Sequence, residues 1–160
     1  MTALAGGSRG RRKRLPAESF AWFSALFLFL QGTSTLAARL VPAIDRAIPW
    51  LLETTAMRPT HSWLHIGTAL LAAFALAAGP RAAWLFAGLF GAFYLMLGLT
   101  GFLGPEEVCG LSRRLELQPF DHPFHILLGS LGLVAAWRSR GGLAARDAAA
   151  SATDTPGASS

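Results

Sequence analysis

Residues Ala82–Leu103 read AAWLFAGLFGAFYLMLGLTGFL, 22 positions without a charged side chain. At about 1.5 Å of rise per residue, a helix of that length crosses the roughly 30 Å hydrocarbon core of a bilayer. Gly88, Gly91, Gly98 and Gly101 lie along it, and pairs such as Ala87 with Gly91 let a second helix backbone come close. Such a face serves a neighbouring helix of the same chain or a second copy equally well. Upstream, Gly79-Pro80 closes another apolar stretch that starts near Ser62, and Arg81 alone marks the turn between the two. Further upstream, Phe20–Ala38 (FAWFSALFLFLQGTSTLAA) is again uncharged, with Gln31, Thr33, Ser34 and Thr35 expected to face partner helices. Downstream, a shorter apolar run spans about Phe120–Trp137.

Four spans predict an all-α integral membrane four-helix bundle over residues 17–138. It is flanked by a disordered basic arm (1–16) and a disordered Ala/Ser/Thr/Gly-rich tail (139–160). Composition agrees, since 52% of the 160 residues are hydrophobic and only 14% charged, with a mean hydropathy of +0.42. A basic arm followed by an apolar core and the small residues Thr35–Ala38 also fits a cleavable signal peptide. The length of the apolar run and the repeat described below favour a retained helix.

Charge placement sets orientation. Arg9, Arg11, Arg12, Lys13 and Arg14 precede the first span, and with Arg81 and the three arginines of the tail they put nine basic residues on one side against five on the other. The positive-inside rule then predicts an inner (plasma) membrane protein with both termini cytoplasmic and two long loops outside. The bilayer is the expected partner, with a homo-oligomer or a membrane partner protein as further candidates for the small-residue faces. A nucleic-acid partner is not expected, because the aromatic residues lie inside the apolar runs. Thirteen Arg against one Lys, with abundant Ala and Gly, suits a GC-rich bacterial genome. Residues 39–61, broken by Pro42, Pro49 and Pro59, form an extramembrane loop whose Ile44, Ile48, Trp50, Leu51 and Leu52 suit the interface. Cys109 is single, so neither an intramolecular disulfide nor a thiolate zinc site is expected. The second loop carries Glu106, Glu107 and Glu116, a solvated acidic face.

Sliding the chain on itself by 60 residues aligns Pro59-Thr60-His61-Ser62-Trp63-Leu64-His65-Ile66 with Pro119-Phe120-Asp121-His122-Pro123-Phe124-His125-Ile126. A shift of 66 brings Phe27 onto Phe93 and Gly32 onto Gly98. The chain therefore reads as two parallel helix-loop-helix repeats, about 20–79 and 82–137. This pattern resembles the bacterial four-helix membrane family called domain of unknown function 4383, whose repeats open their second helix with His-Asn-x-x-His or Asp-Asn-x-x-His. Here the motif stands as His61-Ser62-Trp63-Leu64-His65 and Asp121-His122-Pro123-Phe124-His125, with Ser62 and His122 at the Asn positions. The resemblance implies a fold and no activity.

All four histidines fall in these two motifs. His61 and His65 share a helix face, His122 and His125 do likewise, and Asp121 adds an oxygen. If the mouths of the second and fourth spans meet, these five residues could hold zinc, copper or a bis-His haem. The plainer reading needs no cofactor: Ser62 serves as an N-cap, Asp121 or His122 followed by Pro123 starts a helix, and the histidines seal the bundle end. No paired carboxylates lie inside a span, no phosphate loop or dinucleotide fingerprint occurs, and Ser130 lacks the preceding strand of a nucleophile elbow. Tyr94 is expected to pack or hydrogen-bond. The expected role is structural or accessory, not enzymatic, with a metal- or haem-binding protein as the alternative class. A membrane enzyme acting on quinone or lipid is a third reading without a specific residue behind it.

Overall fold

A computed structural model describes residues 13–55, 57–103 and 117–153. Among them are six helices and no strand: α1 (Pro16–Leu40), α2 (Pro42–Ala47), α3 (Pro49–Thr55), α4 (Pro59–Ala78), α5 (Pro80–Leu103) and α6 (Asp121–Thr153). Proline punctuates the chain, because each of the first five helices opens on one, where the missing N–H costs nothing and φ is already helical. At the start of α1, Glu18 reaches back to accept a hydrogen bond from the Leu15 amide at 2.7 Å. Asp121 does the same for the Gln118 amide, also at 2.7 Å. Between α4 and α5 the chain reverses at Gly79, whose φ of 110° is the left-handed backbone that favours glycine.

Pro16–Leu40, Pro59–Ala78 and Pro80–Gly101 are long and apolar enough to cross a membrane. Their outer faces carry large exposed hydrophobics such as Trp22, Leu70, Phe74 and Leu89, the last two about 70% exposed (70% and 71%). A water-soluble surface does not carry such a belt. The protein is therefore of membrane type, all-α, with α1 packed on α4 and α5 packed on α6 as its two main interfaces. Phe20, Leu28, Phe86, Phe90, Tyr94 and Leu128 fill the centre among buried alanines, and Phe20 meets Phe90 edge-on at 5.7 Å.

Glycine sets both interfaces. A Cβ on Gly32 of α1 would stand 2.7 Å from the Ser62 carbonyl oxygen and 2.9 Å from Ile66 Cγ1 of α4. A Cβ on Gly98 of α5 would stand 2.7 Å from the His122 oxygen and 2.7 Å from Ile126 Cγ1 of α6. The small-residue face expected on Ala82–Leu103 is thus used inside the chain, with Gly91 crossing Gly129, Gly132 and the Leu133 amide. Of the polar cluster in α1, Thr35 is the residue that faces a partner: its hydroxyl shares a hydrogen bond with Ser62 Oγ at 2.9 Å. Thr33, Ser34 and Thr35 all bond carbonyls of their own helix, those of Phe29 and Gln31, and only Thr35 of the three also reaches across.

Ser62 is not the cap expected from the sequence. Arg58 is the N-cap of α4 and Pro59 opens the helix, so Ser62 already lies one turn in and turns its hydroxyl to α1. The Thr35→Val and Ser62→Ala variants are expected to cost about 1 kcal/mol each, with a coupling of about 0.6 kcal/mol in the double mutant. Thermal unfolding in detergent measures this, and strictly additive losses would remove the bond from the account.

Residues 139–153 correct a second expectation. They continue α6 as helix rather than forming a disordered tail, and α6 reaches Thr153 over 33 residues. Ala-rich sequence has high helix propensity, and this stretch also has partners. Ser139 Oγ accepts from the Ala17 amide at 2.9 Å, Leu143 is buried, Arg146 pairs with Glu18 at 3.1 Å, and Asp147 pairs with Arg81 at 2.9 Å. The start of α1, the α4–α5 turn and the end of α6 therefore share one end of the bundle. At the other end lie α2 and α3, where Arg39 Nε donates to the Met57 carbonyl at 2.6 Å and Trp50 stays exposed. The segment read as a loop is thus mostly two short helices. Glu106, Glu107, Cys109 and Glu116 lie outside the described residues.

Candidate functional site

The first two turns of α4 carry His61 and His65, and the start of α6 carries His125. Because α4 and α6 are each locked to a partner helix through a glycine contact one residue away from these histidines, their rotation about the axis is set. The three rings turn inward, at 2%, 3% and 2% exposure. His61 and His65 meet edge-on with centroids 4.6 Å apart, and His61 lies 6.2 Å from His125. One ligand nitrogen from each of the three falls within 4.8 Å of the others.

Several ring nitrogens at this end of the bundle, Nδ1 of His122 included, are buried with no hydrogen-bond partner. Both ring nitrogens of His65 and Nδ1 of His125 are buried without a partner. Buried polar groups are nearly always satisfied, so leaving several orphaned in one place requires a reason. Three neutral imidazoles converging at this range can hold one transition-metal ion.

Of the five residues singled out in the sequence, the structure brings together His61, His65 and His125. His122 and Asp121 fall outside the group. The His122 ring lies over Gly101, where a Cβ would run into it, and Asp121 is occupied at the helix start by the Gln118 amide. His122 sits three residues before His125, about 60° away around the helix, which is enough to turn it off the shared point.

Tyr94 packs, as its sequence context led us to expect, but against a histidine of the cluster. It is 2% exposed, meets His125 edge-on at 4.9 Å, and stacks on Phe90 at 4.1 Å. Phe86, Phe90 and Tyr94 recur every four residues on α5, a spacing that was visible and that forms one aromatic column ending at the histidines. Tyr94 also borders a groove of about 420 Å³ between α4 and α5, lined by Thr68, Phe74, Phe86 and Leu89 among others.

Fold and site together define a helical bundle of membrane type with a buried three-histidine cluster near one end. No family model, curated protein or solved structure matches the chain.

Proposed function

We infer that this is a small multi-pass membrane protein that holds a transition-metal ion, zinc or copper, through His61, His65 and His125. The observation that carries the reading is the buried convergence of three rings, with both nitrogens of His65 and Nδ1 of His125 lacking a hydrogen-bond partner. A seal of packed histidines would gain from bonding those nitrogens to carbonyls, as buried polar groups ordinarily do. A haem is a poorer fit, since His61 packs on His65 and Tyr94 on His125 edge-on, in contact, where a macrocycle would need a slot. We read the role as accessory rather than enzymatic, because the three rings are at most 3% exposed and a catalytic three-histidine metal keeps a position open to water.

The same reading has α6 as a fourth span, crossing alongside α5, and places both termini in the cytoplasm of a bacterial inner membrane. The shared basic end supports it, since Lys13, Arg14, Arg81, Arg138, Arg140 and Arg146 collect where α1 begins and α6 extends outward. The like contacts of Gly32 with Ser62 and Ile66, and of Gly98 with His122 and Ile126, support the duplication and the four-helix family resemblance.

The test is elemental analysis of the untagged protein purified in detergent and incubated with zinc or copper. One metal ion per chain is expected in the wild type and in His122→Ala, and none when His61, His65 and His125 are changed together to Ala. A metal-free wild type, or equal loss in His122→Ala, would overturn the assignment.

A further inference from the structure

We propose that the three-histidine site selects a monovalent, soft d¹⁰ ion, Cu(I), over Zn(II). This rests on the metal-binding reading above. The three ligands are all neutral, each is at most 3% exposed, and among the described residues the ligand group contains neither a carboxylate nor a thiolate. No formal charge among the described ligands therefore offsets that of a bound ion. Desolvation cost grows with the square of the charge, so at equal radius a divalent ion pays about four times the penalty of a monovalent one in such surroundings.

Zinc in three-histidine sites ordinarily completes a tetrahedron with water, whose proton is lost to balance the charge. That needs a fourth position open to water. Here the cluster is closed off: the three rings are at most 3% exposed, and Tyr94 stands edge-on to His125. Asp121 is the acidic residue nearest in sequence; it lies outside the ligand group, one oxygen accepting from the Gln118 amide, and its charge reaches His61 from outside that group. Cu(I) asks for less, because its single charge is cheaper to bury and three imidazoles can hold it without a water.

The experiment is an anaerobic competition on the full chain in detergent. Cu(I) is supplied from its bicinchoninate complex under ascorbate, Zn(II) is added in about 100-fold excess, and metal per chain is read after gel filtration. One retained copper per chain despite the zinc is the expected result. In His125→Asp, where a carboxylate supplies the missing charge, zinc should displace the copper. Zinc displacing copper from the wild type, or copper preference unchanged in His125→Asp, would overturn the selectivity while leaving the metal site in place. Binding of neither metal to the wild type would overturn the site itself, and this inference with it.

Discussion

Gly129→Ala is expected to destabilise the bundle by about 3 kcal/mol, the upper end of overpacking effects, and Gly129→Leu to prevent recovery of folded protein. A Cβ at this position would run into the Leu95 amide nitrogen and come within 2.8 Å of the Gly91 oxygen. Both obstacles are backbone, so no rotamer change relieves them, and α5 and α6 must separate. The separation would propagate to the site, because the same interface orients His125. The control positions are Gly88 on α5 and Gly67 on α4. At Gly88 a Cβ meets only Ala136 Cβ, at 3.8 Å, and at Gly67 it meets nothing within 4 Å. Gly88→Ala and Gly67→Ala are therefore expected to be neutral or to gain up to roughly 1 kcal/mol from helix propensity. Thermal unfolding followed by circular dichroism in detergent ranks the three alanine variants. Equal midpoints for Gly129→Ala and Gly88→Ala would show that the close crossing is not what holds these helices together.

The second large effect is expected at His65, with opposite signs in the presence and absence of metal. Its two ring nitrogens are buried without a partner, each a liability of about 1–3 kcal/mol against an apolar group of similar volume. His65→Leu should therefore raise metal-free stability by about 1–2 kcal/mol, the difference being what remains after imperfect repacking. It should also abolish metal binding. Metal at about 100 times its dissociation constant stabilises the wild type by about 2.7 kcal/mol through linkage and leaves His65→Leu unchanged. The order of the two unfolding midpoints then inverts on adding metal. If His65 were a packing residue alone, His65→Leu would lose stability in both conditions and metal would shift neither protein.

Much of this molecule was legible before any coordinates. Uncharged runs of bilayer length define the membrane class because nothing else accommodates them, and proline at helix starts is a property of its own ring. The offset of 60 residues between the histidine motifs anticipated which residues could meet. It could not say which would. The meeting of His61, His65 and His125, and the turning away of His122 and Asp121, depend on how far α4 and α6 rotate about their axes. That rotation is decided by backbone contacts at Gly32 and Gly98 with helices distant in the chain. A few tens of degrees separate a ligand from a bystander, and local sequence carries no record of that angle. The tail teaches the same point from the other side. Residues 139–153 read as low-complexity and polar, yet Ser139, Leu143 and Arg146 find Ala17, the core and Glu18 only once α1 and α6 lie together. Composition determined the solvent this chain folds in; only the packed bundle decided which polar side chains were left facing one another inside it.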